Sequence, residues 1–189
     1  MSQLQAGKHH TTNMPSPQKL YQSFHSSPLG EITLVAHDSA LVGLWIDNQK
    51  HYVQNLQLSH VDTQETPVLT QTKSWLDAYF RGENPDPHCL PLDPSGSEFQ
   101  LAVWRILATI PYGTLTTYGA IAKQIACEFH KPKMSAQAVG GAVGRNPISI
   151  IIPCHRVVGA AGKLTGYAGG LDKKRFLLQL EGVDLTQSK

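Results

Sequence analysis

Between residues 84 and 96 the chain reads NPDPHCLPLDPSG, with four prolines and two aspartates. Each proline lacks an amide hydrogen and fixes φ, so neither a helix nor a central strand continues through this stretch. It is read as a linker between a domain over residues 19–92 and a second over 93–189, with residues 1–18, polar and holding Pro15 and Pro17, as a flexible tail. The 189 residues are 41% hydrophobic, enough for one domain or two small ones with about 70% of the unfolded surface buried. Only 16% are charged and no stretch approaches the roughly 20 apolar residues of a membrane span, which excludes transmembrane and charge-driven disordered readings. The opening MSQLQAGKHH has no apolar core of a secretory signal, so a cytoplasmic protein is expected.

Cutting the chain after Glu98 separates its charge. Residues 1–98 carry five Lys/Arg against ten Asp/Glu, and residues 99–189 carry eleven against four, so net −5 is followed by net +7. A basic half of this kind suits a polyanion partner, and an ordinary solvated face fits the charge equally well.

The first half reads as strands: YQSFHSS, then EITLVAHD after Pro28-Leu29-Gly30, then ALVGLWIDN after Asp38-Ser39, a three-stranded antiparallel meander. Pro67 opens a helix whose Trp75, Leu76, Tyr79 and Phe80 share one side and which Gly82 ends. In the second half, Ser95-Gly-Ser-Glu98 has the form of a capping box before a helix running to about Ile110. A helix after Thr116 and another from Ser135 through AQAVGGAVG suggest helix-turn-helix, although the joining CEFHKPK is long for that motif. The last helix is small on nearly every face. Gly140 and Gly141 each cost about 1 kcal/mol against alanine, so either a tight helix crossing or a nucleic-acid groove is expected to need them, and Lys131, Lys133 and Arg145 favour the groove.

The apolar run ISIII reads as a short buried strand ending at Pro153, just before Cys154-His155-Arg156. Three cysteines, Cys89, Cys127 and Cys154, with no C-x-x-C pair encode neither a disulfide framework nor a zinc ribbon; Cys89 and Cys127 are read as structural. Only Cys154 has a base and a cation beside it to depress its pKa. Neighbouring side chains diverge, so His155 is expected to reach the sulfur through water. Among Asp172, Glu181 and Asp184, Glu181 in LLQLEG is the best placed to orient the imidazole. A Cys-His-Glu hydrolase acting on esters or peptides fits these residues too, but leaves the small-faced helix and the basic half without a purpose.

PCHRVVG, followed by LTGYAGG and LEG, resembles the O6-alkylguanine-DNA alkyltransferases, the methylated-DNA–protein-cysteine methyltransferases. The resemblance covers residues 97–182 almost continuously, through EFQLAVWRILATIPYGTLTTYGAIA and AVGGAVGRNPISIIIPCHRVVG, whereas residues 19–92 match only in strand order. It implies an α/β protein with an N-terminal three-stranded antiparallel sheet plus helix of ribonuclease H-like type. A mainly helical C-terminal domain holds the helix-turn-helix.

The implied activity is DNA repair. An O6-alkylated guanine is flipped out of double-stranded DNA and its alkyl group moves irreversibly to Cys154, consuming the protein in one turnover. Whether O4-alkylthymine also serves is left open. By the same correspondence His155 is the water-mediated base, Glu181 orients it, Asn146 ties the recognition helix to the active-site segment, and Tyr118 donates a proton toward the leaving guanine. Val157, Tyr167, Ala168 and Gly169 correspond to the wall and loop of the base pocket. Ser135, Ala136, Gln137, Ala138, Gly140 and Gly141, with Arg145 and Arg156, correspond to the minor-groove surface. No cofactor, no metal and a monomer are implied. One departure stands out: Gln137 occupies the place of an intercalating arginine, and lacks its charge and its stacking plane. A lesion-sensing relative that binds without transfer is the other alternative, and such relatives generally lack the acceptor cysteine kept here.

Overall fold

The computed structural model describes residues 18–49 and 61–185; the expected tail lies outside these except for Gln18. Alternating apolar residues build the meander as read: β1 (Leu20–Ser27), β2 (Gly30–Ala36) and β3 (Leu41–Ile46) pair antiparallel in sequence. A fourth strand, β4 (Val61–Thr63), which the sequence reading did not assign, pairs parallel to β1 and completes the order β3-β2-β1-β4. Three residues carry too little pattern to be recognised alone. Helix α1 (Pro67–Phe80) is capped by Thr66, whose side chain accepts from the Leu69 amide at 3.3 Å, and buries the stripe Val68, Leu69, Thr72, Trp75, Leu76 and Tyr79.

The proline-rich stretch expected as a linker is held along the first half. Trp75 Nε1 donates to the Asp86 carbonyl at 3.1 Å, and a single 3₁₀ turn spans Pro87–Cys89. Leu92 pairs with Leu41 at the free edge of β3. The same edge takes up the second half, because the Leu44 amide donates to the Pro147 carbonyl at 2.8 Å and the Leu44 carbonyl accepts from the Ser149 amide at 3.0 Å. One continuous apolar core runs across both halves.

The second half comprises α2 (Glu98–Ala108), β5 (Thr116–Thr117), α3 (Tyr118–Glu128), α4 (Ala136–Gly144), β6 (Val157–Val158) and α5 (Leu171–Leu180). The capping box lies two residues later than expected: Ser97, not Ser95, caps α2, reciprocated by the Gln100 side chain. Helices α3 and α4 form the expected pair. Val139, Ala142 and Val143 face the core, and Trp104 Nε1 donates to the Ala142 carbonyl at 2.9 Å. The run ISIII is not a strand. Apart from the bridge of Ile148 to Leu44 it forms a buried turn, in which Ile150 takes φ +69°, a costly conformation for a β-branched residue. Asn146 replaces the missing ladder. Its side chain accepts from the Ile148 amide at 3.1 Å and donates to the carbonyls of Ile148 at 3.3 Å and Ile152 at 2.8 Å.

Candidate active site

The turn clamped by Asn146 delivers Cys154 on a single 3₁₀ turn, Cys154–Arg156. Parallel pairing of β5 with β6 brings Tyr118, the first residue of α3, beside it. A cavity of about 240 Å³ opens over Cys154, walled by Tyr118, Tyr167 and Ala168 on one side and by Gly140, Val143 and Gly144 of α4 on the other. It continues into a shallower groove along Ala136 and Gln137. A larger groove, about 750 Å³, lies among Trp75, Asp86 and Tyr112 and does not include Cys154.

Behind the cysteine, the Glu181 carboxylate accepts five donors. Oε1 receives His155 Nε2 at 2.7 Å, Tyr79 Oη at 2.7 Å and Arg156 Nη2 at 3.0 Å, while Oε2 receives Arg156 Nε at 2.8 Å and the Gly113 amide at 3.0 Å. Gly113 is required there: its φ is +70°, and a Cβ would stand 2.8 Å from the Glu181 backbone oxygen. Burial alone would raise the Glu181 carboxyl, but the hydrogen bonds and charges of His155 and Arg156 hold it well below the usual range.

An ionised carboxylate only accepts, so His155 Nε2 carries hydrogen and the neutral imidazole keeps its lone pair on Nδ1. That nitrogen is buried and has no hydrogen-bond partner among the described residues. Burial pushes the His155 pKa down despite the pull of Glu181, which keeps the ring neutral and able to accept a proton.

The cysteine differs from expectation. Burial pushes the Cys154 thiol up, opposed by the Asn146 side chain and by the charge of Lys174. Arg156, expected both as its activating cation and as a DNA contact, is buried, forks onto Glu181 and also donates to the Ile110 carbonyl, so it is unavailable to a phosphate. The cation acting on the thiol is Lys174, which sequence reasoning missed. Its ammonium is fully buried, donates to the carbonyls of Val157, Thr165 and Gly166, and is lowered by burial to about 8. The signal was present, since Lys174 shares the buried stripe of α5 with Leu177 and Leu178. In the sequence Tyr79 reads only as helix packing.

Two residues expected at the pocket, Val157 and Gly169, are not among those that line the cavity. The Val157 side chain is fully buried and its carbonyl serves Lys174; Gly169 lies against the Tyr167 ring, which a Cβ would approach to 3.0 Å. Cys89 and Cys127 are exposed, so neither packs in the core.

Ser135 caps α4, accepting from the amides of Gln137 at 3.2 Å and Ala138 at 3.4 Å. Ser135, Ala136, Gln137, Ala138, Gly141 and Arg145 are exposed, as are Lys131 and Lys133. A Cβ on Gly140 would meet only the Tyr118 ring at 3.8 Å, one on Gly141 only the Arg145 guanidinium at 3.6 Å, and one on Gly144 nothing within 4 Å. Internal packing therefore does not demand glycine at these positions. Among the described residues no group of three His, Cys, Asp or Glu side chains is placed to hold a metal ion, and no helix is long and apolar enough to cross a membrane.

Residues 98–183 match the 6-O-methylguanine DNA methyltransferase, DNA binding domain, and residues 20–94 match the 6-O-methylguanine DNA methyltransferase, ribonuclease-like domain. A methylated-DNA–protein-cysteine methyltransferase of Haemophilus influenzae is 42% identical over 164 residues, 87% of each chain. One from Methanosarcina acetivorans is 45% identical over 163 residues, covering 86% of this chain and 99% of its own. The crystal structure of Mycobacterium tuberculosis OGT in complex with DNA superposes with a TM-score of 0.71 at 42% identity, covering 86% of this chain and 92% of that one. The chain belongs to the 6-O-methylguanine-DNA methyltransferase family.

Proposed function

We propose that this chain repairs DNA by moving a methyl or larger alkyl group from O6 of a flipped-out guanine to Cys154, once per molecule. The observation that carries the reading is Cys154 at the floor of a one-base cavity, beside an imidazole whose Nδ1 lone pair is free and whose Nε2 is fixed by Glu181.

In this reading His155 Nδ1 takes the thiol proton through a water. The thiolate attacks the alkyl carbon in line, the S–C bond forms as the C–O6 bond breaks, and the electron pair leaves with guanine. Tyr118, whose hydroxyl now donates to the Thr165 carbonyl at 3.2 Å, turns to protonate the departing base. Burial and the neighbouring Cys154 raise its phenol, so it reacts as a donor and not as a phenolate. The proton held by the imidazolium returns to the Tyr118 oxygen through water, so electrons and protons balance without a cofactor. Tyr167 and Ala168 wall the base pocket, and the small Ala168 leaves room for groups beyond methyl.

Helix α4 enters the minor groove of double-stranded DNA through Ser135, Ala136, Gln137, Ala138, Gly140 and Gly141, with Arg145, Lys131 and Lys133 on phosphates. Gln137 fills the gap left by the flipped base. The protein acts as a monomer in the cytoplasm.

The test is mass spectrometry after mixing the protein with a duplex containing O6-methylguanine, with Cys154→Ala alongside. One methyl per protein on the Cys154 peptide, absent from the variant, is expected. Binding of the lesion duplex without a gain in mass would replace transfer by lesion sensing, and repeated turnover of an ester would favour the hydrolase.

A further inference from the structure

Tyr79 belongs to α1, in the domain that does not carry the cysteine, yet its hydroxyl reaches the centre of the charge network. It donates to Glu181 Oε1 at 2.7 Å and stands 3.4 Å from His155 Nε2. The ring is held on both sides, stacked on Trp75 with centroids 5.4 Å apart and edge-on to Tyr112 at 6.1 Å. It is 1% exposed, and a buried phenol with an apolar purpose alone would be served as well by phenylalanine.

We propose that Tyr79 is a positioning residue for alkyl transfer, through which the N-terminal domain sets the proton affinity and tautomer of His155 by sharing Glu181 Oε1 with it. This rests on the proposed function. The hydroxyl withdraws part of the negative charge on Oε1, the oxygen facing His155. It also fixes the plane of the carboxylate, so that the imidazole keeps hydrogen on Nε2 and the lone pair on Nδ1.

The other groups acting on this pair come from every element around it: Arg156 on the 3₁₀ turn, Tyr112 and the Gly113 amide after α2, Lys174 on α5, and Tyr167 and Cys154 at the cavity. None of them replaces Tyr79 on Oε1. His155 Nε2 is a donor to that oxygen, and the remaining bond from Arg156 is longer, at 3.0 Å. Burial raises the Tyr79 phenol far above its ordinary value, with the Glu181 charge adding to it, so the hydroxyl is a donor at neutral pH.

The experiment compares the wild-type chain with Tyr79→Phe, which keeps the ring and its stacking. Single-turnover transfer from an O6-methylguanine duplex is followed across pH, together with affinity for the unmodified duplex and ¹⁵N chemical shifts of the His155 ring. With the hydroxyl gone, Oε1 stabilises the imidazolium better. The carboxylate plane is also no longer fixed and the imidazole is less well oriented, so transfer at neutral pH is expected to slow about tenfold, the size of losing one hydrogen bond to a charged group. The acid limb of the pH profile and the His155 ¹⁵N midpoint are expected to move to higher pH, with affinity for unmodified DNA unchanged.

A wild-type rate with an unmoved acid limb overturns the proposal, and so does a slower rate with an unmoved His155 midpoint, which marks Tyr79 as packing only. If the wild-type chain itself gains no methyl, the proposed function fails. The ¹⁵N midpoint then decides Tyr79 alone, and equal midpoints in the two proteins remove its effect on the imidazole.

Discussion

Tyr118 and Lys174 donate to the same two backbone oxygens, those of Thr165 and Gly166: the phenol at 3.2 and 3.4 Å, the ammonium at 3.0 and 3.3 Å. The loop leading to Tyr167 is thus held from the wall of the cavity and from the core beneath Cys154. It can relax toward a base only by loosening both donors.

Lys174→Met is expected to raise the Cys154 thiol further, because it removes a cation that opposes burial. The pH dependence of Cys154 alkylation by a small reagent checks this. The variant also tests linkage. The folded ammonium titrates at about 8 against 10.5 unfolded, so the unfolded chain binds the extra proton between these values, and the cost of burying the charge is present below about pH 8 and relieved as pH rises to 10.5. Urea denaturation should show Lys174→Met ahead of wild type by up to about 3 kcal/mol of desolvation below pH 8, less the three carbonyl bonds it forfeits, with the gap moving in favour of wild type as pH rises.

Glu181→Gln leaves Arg156 buried without its counter-ion and is expected to cost about 3–5 kcal/mol. Chemical denaturation at pH 7 measures it. In the wild type the depressed Glu181 carboxyl gives stability that is present above its unfolded value of 4.5 and is lost as pH falls below it. The depressed His155 adds loss as pH falls through 6.5, where the unfolded imidazole takes a proton that the folded one refuses. Both act in one direction, so stability declines from pH 7 to pH 4.

Asn146→Ala removes the three hydrogen bonds that hold the Ile148–Ile152 turn and should cost about 3 kcal/mol at roughly 1 kcal/mol each. Transfer should fall further than DNA affinity, because the turn that carries Cys154 relaxes while α4 stays in place. Thermal denaturation and single-turnover transfer separate the two effects.

Gly140→Ala should move stability and binding in opposite directions. The helix gains about 0.5–1 kcal/mol because the new methyl meets only the Tyr118 ring at ordinary contact distance. A duplex in the groove meets the methyl on the face now open, so affinity for DNA falls. A rise in melting temperature with unchanged affinity would place the DNA elsewhere.

Gln137→Arg should strengthen binding of the lesion duplex and steepen its salt dependence by about one counter-ion, a change of roughly 0.9 in the slope of log affinity against log salt. Gln137 is exposed on the first turn of α4, so the substitution disturbs no packing. Fluorescence anisotropy at several salt concentrations reads both quantities.

The features legible in the sequence were those that repeat along it. Alternation marked β1 to β3, helical spacing and caps marked α1, α3 and α4, and the adjacency of Cys154 and His155 with an acid at Glu181 marked the site. The errors arose where a distant segment decides. ISIII has the composition of a strand, but Asn146 supplies its hydrogen bonds from a side chain and folds it into a turn. Arg156 looked like a surface cation until Glu181, 25 positions away, claimed it. Tyr79 and Lys174 reach the site through tertiary packing alone, and no local pattern distinguishes a tyrosine that packs from one that also donates into a buried carboxylate.

The edge of β3 is where the two halves are sewn together, since the amide and carbonyl of Leu44 are spent on Pro147 and Ser149 at the start of the cysteine-bearing turn. A sheet rim left bare is a template for another chain's strand. Here the cover of the rim and the footing of the reactive thiol are one stretch of backbone. Substitutions that soften this turn should therefore betray themselves first as self-association, with turbidity on gentle warming, and only afterwards as poorer recognition of DNA.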